Sequence, residues 1–107
     1  MLTKTYLKSR KASKVTFELD ESQLPEGLEA KTVHLVGDFN GWDHEATPME
    51  YLKRGAFKAS VELEPGKQYQ FRYLVNGEHW VNDWEADGYV PGGTGEDNCL
   101  VVTPAAG

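Results

Sequence analysis

The chain has 107 residues, a formal net charge of −6, one cysteine and 11% aromatic residues. That length suits one domain with one hydrophobic core, and a lone Cys99 excludes an internal disulfide. No run approaches the roughly 18 apolar residues of a membrane span.

The opening Met1-Leu2-Thr3-Lys4-Thr5-Tyr6 lacks the apolar segment of a secretory leader, so a reducing cytoplasm is the expected compartment. Lys4, Lys8, Arg10, Lys11 and Lys14 fall in the first fourteen residues, which hold no acid; all 17 acidic residues follow. Residues 1–13 read as a basic segment or as an edge strand, where lysines discourage sheet-to-sheet aggregation. The acidic remainder repels phosphate backbones, which argues against a nucleic-acid partner.

From residue 14 onward the dominant period is two, the mark of strands with one buried face. Val15, Phe17 and Leu19 form the first inward row, and Pro25-Glu26-Gly27 turns the chain. Val33 and Leu35 begin the next strand. A short run over 49–53 precedes an Arg54-Gly55 reversal. Phe57, Ala59, Val61 and Leu63 then alternate with Lys58, Ser60, Glu62 and Glu64. Pro65 and Gly66 stand where a type II turn needs them. Tyr69, Phe71, Tyr73 and Val75 make a further inward row, with Gln70, Arg72 and Leu74 on the opposite face. Asn76-Gly77 is a strong hairpin signal, and Leu100 with Val102 is expected to complete the inward set. About seven short strands with regular turns predict an all-β, immunoglobulin-like sandwich. Its body spans residues 14–103, and 104–107 form a tail. Residues 38–47 and 83–97 resist strand assignment and read as the loops on which function sits.

The string Val33-His34-Leu35-Val36-Gly37-Asp38-Phe39-Asn40-Gly41-Trp42 is the most specific in the chain. With Gly55-Ala56-Phe57, Pro65-Gly66, then Phe71 through Gly77 and Trp80, it resembles carbohydrate-binding module family 48. Isoamylases and glycogen-branching enzymes carry such modules as N-terminal domains. The resemblance covers about residues 14–102. It implies a sandwich of the early-set type, without catalytic residues or cofactor, that holds an α-1,4-glucan such as glycogen, starch or a malto-oligosaccharide. It also implies a glycogen-metabolising enzyme as a partner. Position by position, Trp42 and Trp80 match the two sugar-stacking tryptophans, and Arg72 matches the basic residue that donates hydrogen bonds.

Elementary chemistry agrees with those roles. A pyranose presents a flat array of C–H bonds to the broad apolar face of an indole, and a planar guanidinium donates to two adjacent hydroxyls in fixed geometry. Each residue also has a plainer reading. Trp42 can plug the end of the core, and Arg72 can be a cross-strand partner of an acid. Trp80 depends on the hairpin register. A two-residue Asn76-Gly77 loop points it at the core, whereas a loop that includes Glu78 puts it beside Arg72. Trp84 is the reserve candidate. The chain departs from the glycogen-binding members in two places. One extra residue separates Gly77 from Trp80, and in the stretch Pro91 to Asn98 the polar groups Thr94 and Asn98 lie one position from where the closing loop places them.

Other classes find less support. The acids Asp83, Glu85, Asp87, Glu96 and Asp97 could start an enzyme reading, but glycoside hydrolysis needs two carboxyls across a substrate cleft. A sandwich of this size has little room for one, and a loop of acids is usually solvated. Asp83 to Gly88 imitates the start of a calcium loop, but Thr94 stands where a bidentate Glu is needed. His34, His44 and His79 have no ligand spacing, so no metal site is expected. Cys99 lies in an apolar strand and reads as a core or edge thiol. The alternative to glucan binding is a protein-interaction or scaffold module, whose aromatic residues pack on a partner.

Overall fold

The alternating rows close into two facing sheets in the computed structural model, which describes residues 2–9, 11–92 and 96–104. Its strands are β1 (Leu2–Leu7), β2 (Ala12–Asp20), β3 (Val33–Gly37), β4 (Glu50–Leu52), β5 (Ala56–Leu63), β6 (Gln68–Val75), β7 (His79–Val81), β8 (Gly88–Pro91) and β9 (Asp97–Val102). One sheet has the order β1-β2-β5-β4 and the other β3-β6-β9-β8, with β7 paired to β6, and every pairing is antiparallel. The chain is an all-β, immunoglobulin-like sandwich.

The inward rows meet where their spacing predicts. Val15, Phe17 and Leu19 from β2 face Phe71, Tyr73 and Val75 from β6, and all six are fully buried. The Phe17 and Phe71 rings pack edge to face, 4.9 Å apart. Burial of each such side chain contributes about 1.5–3 kcal/mol relative to exposure.

Two strand assignments differ from the sequence expectation. Gly88–Pro91, inside a stretch read as loop, forms β8 on the sheet edge; its Gly and Pro hide the strand pattern, and an edge tolerates both. On β9 the inward residues are Cys99 and Val101, not Leu100 and Val102. Pairing of Phe71 with Cys99 and Tyr69 with Val101 decides this, because directly paired residues share a sheet face. The basic N-terminal run is an edge strand, and Lys4 Nζ reaches across to Asp87 Oδ2 at 2.6 Å. The same Asp87 oxygen accepts the Val102 N–H at 2.7 Å.

Candidate functional site

The turn after β3 positions Trp42. A Cβ at Gly37 would meet the Gln70 carbonyl oxygen at 2.5 Å, so only glycine lets the two strands lie this close here. A 3-10 turn over Asp38–Asn40 follows. Asn40 ties it down: its Oδ1 accepts the Gly37 N–H at 3.1 Å, and its Nδ2 donates to the Leu35 carbonyl at 2.8 Å. Phe39 anchors the turn to the core, with its ring 5.6 Å from Phe17. Gly41 and Trp42 then both adopt left-handed backbone, with φ of 67° and 58°. That conformation costs a non-glycine residue roughly 1–3 kcal/mol, a strain concentrated at functional positions.

The Trp42 side chain is fixed as well. Its Nε1–H donates to Asp38 Oδ1 at 2.8 Å, and Asp38 Oδ2 accepts the Gln70 backbone N–H at 2.8 Å. The indole N–H is therefore engaged within the protein. The ring face is the surface it offers a ligand.

Arg72 lies where β6 changes partner. Phe71 pairs with Cys99 on β9, and Tyr73 pairs with Val81 on β7, so the two partner strands part beside Arg72. Asn82, just after β7, accepts from Arg72 Nε at 2.7 Å and donates to the Asp97 carbonyl at 2.9 Å. Glu96, just before β9, accepts from the Arg72 guanidinium at 3.0 Å. The guanidinium also lies over the Trp80 ring, 5.6 Å from its centre. Arg72 is consequently only 8% exposed. It does not stand on an open strand face, as alternation alone predicted, because loops distant in sequence close over it.

The hairpin register sets Trp80. Asn76 and Gly77 have φ of 55° and 74°, and the Glu78 N–H donates to the Val75 carbonyl at 3.1 Å. The ladder nevertheless resumes at Val75 and His79, so Glu78 is an extra residue in the returning chain. Trp80 thereby pairs with Leu74 and shares the outer face with Arg72. His44 packs perpendicular to Trp80, with ring centres 5.2 Å apart.

One groove of about 590 Å³ brings these groups together: Trp42, Trp80, Arg72 and Asn98 line it, together with Gln70 and His44. Asn98 Nδ2 donates to Gln70 Oε1 at 3.0 Å. Gly92 and Glu96 form the far rim, joined by the Gly92 N–H to the Glu96 carbonyl at 2.9 Å. Thr94 lies outside the described residues. Trp84 is not in this groove; it lines a neighbouring hollow. Sequence reading missed Asp38, Glu96 and Asn82 as supports of the site. Gln70 was within reach, since it precedes Arg72 by two and so shares its face.

Three of the five acids are engaged by separate partners. Asp83 is fully buried and accepts the Tyr73 hydroxyl at 2.8 Å, Asp87 holds Lys4, and Glu96 holds Arg72. Burial, then the Asp83 charge, pushes the Tyr73 phenol well above its usual 10.0. Burial likewise pushes the Cys99 thiol up to about 11, and this sulfur sits in the core. Among the described residues, no group of three or more His, Cys, Asp or Glu side chains is arranged to hold a metal ion, and no helix is long and apolar enough to cross a membrane.

The family model of carbohydrate-binding module 48 (isoamylase N-terminal domain) matches residues 28–90. The chain belongs to this family. Carbohydrate-binding module 48 is a family of non-catalytic carbohydrate-binding modules, and the matched span contains Trp42, Arg72, Trp80 and Trp84. No curated protein matches the chain. Among solved structures, this module is similar to the ferric enterobactin esterase of Salmonella typhimurium, with a TM-score of 0.74 at 11% identity. The likeness covers 99% of the module but 35% of the esterase, and at that identity it bears on the fold alone.

Proposed function

We propose that this module binds linear α-1,4-glucan, as in glycogen, starch or malto-oligosaccharides, without catalysing any reaction. One observation carries the reading: Trp42, Trp80, Arg72 and Asn98, which lie far apart in sequence, line a single groove. The two half-exposed indoles supply stacking faces for sugar rings. Arg72, Gln70 and Asn98 supply groups that donate to and accept from hydroxyls, and Thr94 is a further candidate contact. The Arg72 charge is met by Glu96, which suits an uncharged polyol better than a phosphate or carboxylate ligand.

If each stacking contact contributes about 1–3 kcal/mol, as for bases on aromatic side chains, affinity lies between about millimolar and tens of micromolar. Weak sites of that kind suit a repetitive polymer on which several modules act together. The test is a titration with maltoheptaose and β-cyclodextrin followed by tryptophan fluorescence, with a cello-oligosaccharide as control. Saturable response to the first two only is the expected result, and Trp42→Ala should abolish it while the far-UV spectrum stays native. No response to any α-glucan would remove the proposal.

A further inference from the structure

We infer that the glucan track does not end at Trp80 but continues onto Trp84, which forms a second subsite for a longer linear chain. This rests on reading the Trp42–Trp80 groove as a glucan site. Trp84 is 69% exposed, the most exposed large hydrophobic side chain among the described residues. An indole held in water does nothing for the core, and it leaves a broad apolar face open to a sugar ring.

Its loop is built to keep it there. Asp83, immediately before it, is fully buried. Asp83 Oδ2 accepts the Tyr73 hydroxyl at 2.8 Å, and Oδ1 accepts the Glu85 N–H at 2.8 Å, on the other side of Trp84. The Asp83 N–H donates to Cys99 Sγ at 3.2 Å, and its carbonyl accepts the Tyr89 hydroxyl. The backbone on both sides of Trp84 is thus anchored through the buried Asp83, while Trp84 itself is exposed. An anchored backbone limits the conformational freedom lost when a ligand stacks on the ring.

The surroundings match the ligand of the main groove. Trp84 lines a hollow of about 460 Å³ that shares Arg72, Trp80 and Glu96 with that groove. The two depressions therefore adjoin, with Trp80 and the Arg72–Glu96 pair at their shared boundary. Asn82 and Asp97 add amide and carboxylate groups to the hollow, the mixture that ring hydroxyls require. Adjacency to the groove, together with a lining that mixes Leu24, Pro25 and Val81 with Asn82, Glu96 and Asp97 around a single indole, favours more of the same sugar chain, which presents both C–H faces and hydroxyls.

The experiment measures affinity of the full chain for maltotriose and maltoheptaose by calorimetry, in the native protein, Trp84→Ala and Trp84→Tyr. Binding of maltoheptaose by the native protein establishes the groove; its absence removes the groove and this subsite with it. Given that binding, Trp84→Ala should weaken maltoheptaose about tenfold, the loss of one stacking contact, and leave maltotriose within about twofold. Trp84→Tyr should restore most of the difference. If Trp84→Ala leaves maltoheptaose affinity unchanged, or weakens both sugars equally, the second subsite is wrong while the groove stands.

Discussion

Asp38 holds Trp42 by its indole N–H at 2.8 Å, and the other carboxylate oxygen takes the Gln70 amide at 2.8 Å. One side chain thereby fixes a stacking ring to the strand that carries Arg72. The turn sequence and the groove are joined through this contact.

Replacing Asp38 with Ala should free the indole to rotate. Ordering it again on binding costs about 0.5–1.5 kcal/mol, so maltoheptaose affinity should fall roughly two- to twelvefold while the far-UV spectrum stays native. Asp38→Asn keeps one acceptor oxygen but sets its NH2 against either the indole or the Gln70 N–H, so its affinity should lie between those of the native protein and Asp38→Ala. Equal affinities for all three would show that the ring needs no such support.

Gly37→Ala tests the approach of β3 to β6. The new Cβ would sit 2.5 Å from a backbone oxygen that cannot rotate away, and overpacking of that kind costs about 1–3 kcal/mol. A thermal midpoint at least about 5 °C lower is expected. Gly41→Ala, which has nothing within 4 Å of its Cβ but a φ of +67°, should lose only about 1 kcal/mol through backbone conformation. A Gly37→Ala protein with an unchanged midpoint would contradict the packing described.

Tyr73→Phe removes the hydroxyl that donates to Asp83 in the core. The carboxylate then has one buried donor fewer, which should destabilise the fold by about 1–3 kcal/mol. Urea denaturation should show a lower midpoint with an unchanged slope. An unaltered midpoint would mean that the bond contributes nothing.

Alkaline conditions should destabilise the protein through Cys99 and Tyr73. Burial raises the Cys99 thiol from 9.0 to about 11, so between those values the unfolded chain loses a proton that the folded chain keeps. Its contribution is fully present below pH 9 and gone by about pH 11, up to about 3 kcal/mol. Tyr73, raised above 10.0, adds to the decline from about pH 10 upward. Denaturation measured from pH 8 to 11 should show stability falling across that window. Cys99→Ala should flatten the part between pH 9 and 10, and an identical slope in the variant would refute the assignment.

The sandwich is legible wherever polar and apolar residues alternate, as along Phe57 to Glu64 and Tyr69 to Val75. It is illegible where they do not. Cys99-Leu100-Val101-Val102 is apolar throughout, so only its pairing with β6 selects Cys99 and Val101 for the interior. The position of Trp80 turned on a single residue, because either hairpin length suits Asn76-Gly77; Glu78 enters the returning chain and settles the face. The covering of Arg72 was beyond reach, since Asn82 and Glu96 arrive from either side of β8, separated by an intervening loop and strand.

The two sides of β6 carry separate duties. Phe71, Tyr73 and Val75 are sealed inside, while Gln70 and Arg72, one position out of step with them, border the groove. Of the outward residues, Arg72 and Leu74 are themselves buried, so Gln70 is the position of this strand at which preference for one sugar or another can drift with least cost to the scaffold. A laboratory selection that varies Gln70 and spares Arg72 and Leu74 would therefore sample new ligands from a library that still folds.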